Sequence, residues 1–359
     1  MIKSIKYLAC ILTVSSIFGG GQAWATATPW QGKLPAYEQV KINKTMSGPT
    51  LLFSDSPEMI RECGVMYRDK VQGPTRLFFH HVNDTKSAKR LAVVLRNTGI
   101  RRVEVNVGRK GISKPDKNWL RAGKEVQIDY FSSLKPTSFT LTPGQKYELL
   151  TAKTGKVIHP QEIITGMVDL SFSHPVEVSF MMIPLESDFD AAVDVYEVLP
   201  SDKGEYVLRG TFFAADCGIE LDDSYDNEDD GVWGLTLADN KLDKYIKGID
   251  ATTGKPVTNY GNYGVIYTLD FATKGDDNTV VHFNPWGGPY AGAVLWQDKS
   301  THKLIKIPAQ QLSVGEFGKD ISLPLVTVVG RSKDKLMLSS PGGSYLPIRL
   351  FWEGQKKKK

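Results

Sequence analysis

Seven carboxylates crowd one stretch of this 359-residue chain, positions 220–230. Acidic residues at every second position from Asp226, ended by a glycine, supply the hard oxygen ligands of a flexible calcium loop, as at the start of an EF-hand. The twelfth position from Asp226 is Leu237 rather than glutamate, and no helix pair flanks the stretch, so an ordinary EF-hand is excluded. Two interpretations stay open: a solvated acidic loop, or a calcium loop with the ligands Asp222, Asp226, Glu228 and Asp230.

A second candidate site is the segment 284–292, where proline and glycine surround Trp286 and Tyr290. Aromatic rings exposed on a rigid loop can stack on sugar faces. The same composition also suits a tight turn whose rings plug the end of a β-sandwich. The segment 259–263 (NYGNY) allows the same two interpretations.

No pattern of catalytic residues is complete. His80 and His81 are adjacent on a predicted strand, so their side chains leave on opposite faces and cannot chelate one ion together. The chain has no nucleophile elbow, zincin helix or Cys-His pair. A glycosidase needs only two carboxyl groups close in space, and a polysaccharide-active hydrolase is therefore the alternative to a non-catalytic binding protein.

Charge argues against nucleic acid as a partner. The formal charge of +4 falls to −2 when the first 25 residues and the terminal lysines Lys356 to Lys359 are discounted. No basic stripe interleaved with aromatic residues remains to attract phosphates. The terminal lysines form a basic tail (355–359), and their positive charge is confined to this short segment.

The candidate residues must be positioned by strands, because period-2 alternation is the main pattern in the chain. It occurs at Val103–Val107, Val126–Tyr130, Val176–Phe180, Val193–Val195 and Leu304–Ile307, separated by turn signals such as Pro143-Gly144. Only 237–249 offers a short helical pattern. The sequence predicts an all-β protein with less than about 10% helix after the signal peptide.

The predicted domains are two β-sandwiches in tandem. A polar segment without sustained periodicity, 26–49, is typical of a leader or linker. The first sandwich, Ig-like in its strand spacing, spans 50–199, and a second β-rich domain spans 200–354, with the boundary at Pro200. Cys63 and Cys217 would then lie in different domains, either bridged or as separate thiols.

Four segments carry a resemblance to a known set of proteins: 52–58 (LFSDSPE), 76–85 (RLFFHHVNDT), 259–264 (NYGNYG) and 340–344 (SPGGS). These blocks resemble exported bacterial proteins often labelled by a copper amine oxidase N-terminal-like, or stalk, domain. The resemblance implies a secreted or envelope-associated β protein of Gram-positive-type or related bacteria.

Amine oxidase activity does not follow from that label. The chemistry needs a tyrosine-derived quinone beside copper held by three histidines, two of them in a His-x-His pair. The chain has no His-x-His, and its Asn-Tyr pairs are followed by Gly261 and Gly264 where an acidic residue belongs. The sequence therefore predicts no catalytic residues and no cofactor other than the calcium considered above.

Export is predicted from the first 25 residues. Lys3 and Lys6 precede an apolar run of roughly 12 residues, too short for the ~20 that span a bilayer. Ala23-Trp24-Ala25 then offers small residues at the positions that signal peptidase reads. A retained anchor and a lipoprotein formed through Cys10 are the weaker alternatives. We expect a secreted or cell-envelope, non-catalytic protein without a transmembrane anchor, which binds a surface polymer or envelope protein.

Cleavage after Ala25 makes Thr26 the first residue of the exported protein, because the small residues read by the peptidase end there. Mass analysis of the secreted protein should give a chain that begins at Thr26. Exported material that retains Met1 would contradict this prediction.

Overall fold

The computed structural model describes residues 29–356 apart from 134, 151–156 and 205. The predicted signal peptide and the last three lysines of the basic tail lie outside the described residues. The described part forms strands and two short helices, which confirms the all-β class. None of its helices is long and apolar enough to cross a membrane.

The elements, in chain order, are β1 (Trp30–Gln31), β2 (Tyr37–Gln39), β3 (Ile42–Ser47), β4 (Thr50–Ser54), β5 (Met59–Ile60), β6 (Gly64–Asn83), β7 (Lys89–Arg96), β8 (Val103–Ile112), α1 (Trp119–Ser132), β9 (Thr137–Leu141), β10 (Lys146–Glu148), β11 (Ile163–Pro184), α2 (Phe189–Val195), β12 (Arg209–Phe212), β13 (Asp216–Leu221), β14 (Tyr225–Asp226), β15 (Val232–Leu237), β16 (Lys247–Asp250), β17 (Lys255–Thr258), β18 (Ile266–Lys274), β19 (Asn278–Asn284), β20 (Gly292–Gln297), β21 (His302–Ile307), β22 (Ile321–Val329), β23 (Ser332–Ser339) and β24 (Ile348–Gln355).

The first core is enclosed by one large sheet. Its long strands β6 and β11 pair antiparallel, with register shifts after Phe172 and Phe180. One half of β11 pairs with β8 and the other half with β7. Apolar side chains of β6, β7, β8 and β11 share a single core, which requires this sheet to bend back on itself.

The second core lies between two sheets. The six-stranded sheet has the order β1-β22-β19-β24-β15-β2, and the seven-stranded sheet has β21-β20-β23-β18-β13-β3 with β14 beside β18. Buried residues of both sheets, among them Trp352, Tyr267 and Phe283, form one apolar cluster. This arrangement is a β-sandwich.

The described part of the segment 26–49, from residue 29 onward, is not the flexible leader that its composition predicts. Its strands β1, β2 and β3 pair with β22, β15 and β13 of the second sandwich. The side chains of β3 are mostly exposed, since this strand lies at the edge of its sheet. An edge strand of this kind carries no apolar period, and that is why its sequence looks like a linker.

The boundary predicted at Pro200 does not separate the sheets either. β12 follows Pro200 in the chain but pairs with β4 of the first sheet. β16 pairs with β12, and β17 pairs with β16, so both strands join the same sheet. A third apolar cluster joins the two halves, with Phe53 and Phe78 from one and Phe212 and Ile266 from the other. Pairing between strands far apart in sequence has no local signal. The sequence pattern therefore predicts a domain end at the turn near Pro200.

Three local predictions are wrong, and each has a physical cause. The predicted strand Val126–Tyr130 lies in α1, where the buried residues Ala122, Val126 and Tyr130 are spaced by four, as on one helix face. The predicted strand Val193–Val195 ends α2. The segment 237–249 is not helical, because Asp239 accepts the N–H groups of the next residues and Asn240 has a positive φ of 58°.

The two cysteines are separate thiols. Cys63 is half-buried, and burial raises its pKa despite the nearby Lys89. Cys217 is buried in the second core, which raises its pKa to about 12. Neither thiol is therefore activated as a nucleophile.

Arg209 ties together segments from both halves of the chain. Its side chain is 2% exposed, and its Nε donates to the Asp250 carboxylate at 3.0 Å. Its Nη1 donates to the carbonyl oxygens of Ser56, Met66 and Leu199 at 3.3, 3.0 and 2.9 Å. A buried guanidinium with all these partners cannot be removed without leaving acceptors unpaired.

Replacing Arg209 by methionine should lower the free energy of unfolding by about 3 kcal/mol or more, because Asp250 is left buried without its partner. Arg96→Met is the matched control, since the ion pair of Arg96 with Asp194 is exposed and should contribute less than about 1 kcal/mol. Urea unfolding measures both. Equal losses in the two variants would contradict the role given to Arg209.

Candidate functional site

Carboxylates of the acidic loop accept hydrogen bonds from backbone N–H groups of the same loop. Oδ1 of Asp226 accepts the N–H groups of Glu228 and Asp229, and these backbone hydrogen bonds lower the pKa of Asp226. Asp230 accepts the N–H of Asp226 at 2.7 Å, and Asp222 accepts from Asn43. Within the described residues no three acidic, histidine or cysteine side chains converge as metal ligands. Calcium binding at this loop stays a prediction.

Trp286 and Tyr290 do not form one exposed platform. Trp286 is 42% exposed, but the Arg349 guanidinium lies 3.3 Å from its ring centroid and covers one face. Tyr290 is fully buried against Phe283, with ring centroids 4.7 Å apart. Tyr290 therefore plugs the end of the second core, which is the structural alternative considered above.

The two adjacent histidines are buried and do not share a ligand. Burial lowers the pKa of His80 to about 3 and that of His81 to about 4, so both rings are neutral at ordinary pH. The His81 nitrogens bond the Ser54 hydroxyl and the Pro57 carbonyl, both at 2.9 Å. His80 packs edge-on against Trp119. Both residues hold neighbouring segments in place.

The four segments that carry the resemblance meet at one junction. Segments 52–58 and 76–85 are joined by the Ser54–His81 hydrogen bond. Segments 259–264 and 340–344 are joined at two points: Tyr263 Oη donates to the Ser344 carbonyl at 2.9 Å, and Ser340 Oγ donates to the Gly261 carbonyl at 2.7 Å.

Arg76 joins segment 76–85 to segment 259–264. Its Nη1 donates to the carbonyl oxygen of Gly264 at 3.2 Å and to the Asp216 carboxylate at 2.8 Å. Its Nε donates to Asp169, which also accepts the Tyr130 hydroxyl. Segments widely separated in sequence are thus fixed around one place.

Three carboxyl groups lie at this junction: Asp55, Glu58 and Asp202. Asp202 accepts from the Ser56 hydroxyl at 3.1 Å and from the Glu58 N–H at 2.9 Å. Asp55 is 8% exposed, and its Oδ1 has no hydrogen-bond partner among the described residues. Burial, and then the charges of Glu58 and Asp202, raise the pKa of Asp55 well above its ordinary value. Burial and Asp202 also raise the pKa of Glu58.

Beside these carboxyl groups lies a tyrosine cluster made of Tyr206, Tyr245 and Tyr260. Tyr260 is in the middle, with ring centroids 4.7 Å from Tyr206 and 5.8 Å from Tyr245, and both pairs are edge-to-face. Tyr206 is 65% exposed. The ring centroid of Tyr263 lies 6.4 Å from that of Phe53, in the segment that holds Asp55. Burial raises the pKa of Tyr263, and the charges of Asp55 and Tyr245 raise it further.

An open groove of about 480 Å³ adjoins the cluster. Tyr260 and Ser201 are part of its lining, and its floor follows the hairpin of β16 and β17. The remaining lining residues are Gly204, Val207, Lys247, Asp250, Thr253, Lys255, Pro256, Val257 and Thr258. Its volume is in the range of ligand clefts in proteins.

Arg209 lies beneath this groove. Each of three hydrogen bonds from its guanidinium fixes the start of one segment. The bond to Ser56 precedes Glu58, the bond to Leu199 precedes Tyr206, and the bond to Asp250 precedes the β16–β17 turn. The site therefore rests on a buried polar group rather than on the loops alone.

Comparisons with known proteins add little to this geometry. No protein-family model and no curated protein matches the chain. Among solved structures, the CUB1-EGF-CUB2 domains of rat MASP-1 are 10% identical, cover 82% of this chain and 99% of that one, and have a TM-score of 0.21. The oxalate decarboxylase of Lactobacillus farciminis is 9% identical, covers 87% and 88%, and has a TM-score of 0.15. At these scores the similarities support no conclusion about fold or function.

The sequence pointed to part of this site. The segment 259–263 was considered as a sugar platform, and it contributes Tyr260 and Tyr263. Asp55 and Glu58 stand in the resembling segment 52–58, but nothing in their spacing shows that they are close to the tyrosines. Tyr206 and Tyr245 carry no local signal, because only tertiary pairing brings them to Tyr260.

Asp55 should make stability fall with rising pH. Its pKa is raised in the folded state above the ordinary value of 3.8, so the folded protein holds this proton more tightly than the unfolded chain. Stability is then lost as the pH rises from about 3.8 through the folded pKa. Asp55→Asn removes this loss, and we expect the variant to gain stability relative to the wild type between pH 4 and pH 7.

Urea unfolding at both pH values measures the gain. The exposed Asp223→Asn is the control and should show no such pH-dependent difference. A constant difference between Asp55→Asn and the wild type would show that Asp55 ionises normally in the folded protein.

Proposed function

We propose that this chain is an exported, non-catalytic β protein that binds a carbohydrate polymer of the cell surface at the tyrosine cluster. The observation that carries the proposal is the edge-to-face arrangement of Tyr206, Tyr245 and Tyr260, in which the central Tyr260 lines an open groove. This place differs from the loop of Trp286 and Tyr290, the other ligand-binding candidate of the sequence analysis.

The chemistry of the site suits a polyhydroxylated ligand. In an edge-to-face pair the ring that presents its edge keeps both faces uncovered by its partner, and the apolar face of a sugar packs on such a ring. Charged side chains beside the rings form hydrogen bonds with the hydroxyl groups of a sugar, and these charge-assisted bonds are the stronger kind. Lys247 and Lys255 line the groove and offer such donors.

Export supports a ligand on the cell surface. The basic residues, apolar run and small residues at 1–25 are typical of a secretory signal, and a surface polymer is the partner that an exported protein meets first. The resemblance to exported bacterial proteins agrees with this location. Secretion and envelope attachment belong to the proposal.

A polysaccharide-active hydrolase is the second candidate. The observation in its favour is that the pKa values of Asp55 and Glu58 are both raised, as for a general acid that must keep its proton. Against it, Asp55 is almost fully buried, and neither residue lines the groove. Release of reducing ends from a bound polymer separates the two candidates.

Tyr206→Ala and Tyr260→Ala should each weaken polymer binding about tenfold, because each removes one stacking face worth ~1.4 kcal/mol. The mature protein is incubated with xylan, mixed-linkage β-glucan, starch and peptidoglycan, and the bound fraction is measured by sedimentation. Phe213→Ala is the matched control, since Phe213 is also an exposed ring but has no ring contact with the cluster among the described residues.

Three outcomes decide between the proposals. Binding that is weakened by the tyrosine variants but not by Phe213→Ala supports the proposed function. Wild-type protein that binds none of the four polymers overturns it. New reducing ends that disappear in Glu58→Gln would replace the non-catalytic proposal by the hydrolase.

A further inference from the structure

A second exposed aromatic pair lies on the other side of Tyr263. Phe317 and Tyr345 are 64% and 48% exposed, and their ring centroids are 4.7 Å apart at an angle of 78°. Phe317 stands in the loop between β21 and β22, and Tyr345 in the loop between β23 and β24. Side chains this apolar are seldom left exposed side by side without a partner.

Tyr263 connects this pair to the tyrosine cluster. Its hydroxyl donates to the carbonyl of Ser344, the residue directly before Tyr345. Its backbone is held by both the carbonyl and the amide of the Asn259 side chain, directly before Tyr260. Tyr263 thus lies between the two exposed groups and fixes their separation.

The pair is held in place by the neighbouring loop. The N–H of Tyr345 donates to the carbonyl of Pro289 at 3.1 Å. Gly288 has a φ of +135°, and a Cβ at this position would come within 2.6 Å of the Phe317 ring. Only glycine allows the loop to pass this close to Phe317. The orientation of the pair is therefore built into the fold.

We infer that the tyrosine cluster and the Phe317–Tyr345 pair are two subsites for one extended polysaccharide chain. This inference rests on the proposed function and extends it: the ligand is a polymer of several sugar units rather than a short oligosaccharide. A short ligand occupies one subsite, whereas a longer chain reaches across Tyr263 and stacks on both.

The test compares short and long ligands of the polymer that binds in sedimentation, for xylan its disaccharide and hexasaccharide. Calorimetric titration of the wild type should give an affinity for the hexasaccharide at least about tenfold higher. The double variant Phe317→Ala, Tyr345→Ala should lose this gain and keep the disaccharide affinity. Tyr345→Phe retains the ring and should bind as the wild type does.

The failures are distinguishable. If Tyr206→Ala weakens binding but the double variant binds the hexasaccharide as the wild type does, the second subsite is wrong and the proposed function stands. If the wild type binds neither ligand nor any of the polymers, the proposed function itself falls. Near-ultraviolet circular dichroism of each variant confirms that it is folded.

Discussion

The buried guanidinium of Arg209 is the contact on which the candidate site depends. It lies where strands from before and after Pro200 meet, and it pairs with Asp250 while bonding the carbonyl oxygens of Ser56 and Leu199. Desolvating such a charge is costly unless every partner is in place. The requirement fixes three loops relative to one another to within hydrogen-bond tolerance. The loops that form the surface of the site are therefore held in place by a buried contact.

The described strands also pair across the boundary predicted at Pro200. The first strands of the chain pair in the second sandwich, and β12 returns to the first sheet after Pro200. Arg76 adds a second polar connection across the junction through Asp169 and Asp216. Each half supplies backbone partners that the other half needs, so the junction is part of the fold rather than a contact between finished domains.

How far the sequence could predict this protein differs between its strands and its site. Alternating residues such as Val103–Val107 mark strands correctly, because a half-buried strand shows its pattern locally. The same alternation failed at Val126–Tyr130, where the pattern also fits a helix with buried residues spaced by four. The sequence of one segment does not show which strand it pairs with. The edge strand β3 and the pairing of β12 with the first sheet were therefore not predicted.

The prediction of the site was limited for the same reason. The acidic loop and Trp286 stand out in sequence because their special residues are neighbours, yet in the fold these residues mostly satisfy one another. Asp55 and Tyr206 are ordinary in sequence and become unusual only where they meet other residues, Asp55 with Glu58 and Asp202, and Tyr206 with Tyr260. A functional surface assembled from distant segments leaves no compositional signal in any one of them.

Asp55 is a buried carboxyl group at the junction, and the fold leaves one of its oxygens without a hydrogen-bond partner among the described residues. A buried carboxyl oxygen in this state costs about 1 to 3 kcal/mol, and Nδ1 of His80 in segment 76–85 is unpaired in the same way. The nearby hydroxyl groups of Ser56 and Tyr263 donate elsewhere, to Asp202 and to the Ser344 carbonyl. Burial and the neighbouring charges of Glu58 and Asp202 favour the neutral form of this carboxyl group, which lowers the cost of leaving its oxygen unpaired. Arg209 bonds the carbonyl oxygen of Ser56, the next residue, so the contact that fixes this segment also keeps Asp55 buried and its pKa raised.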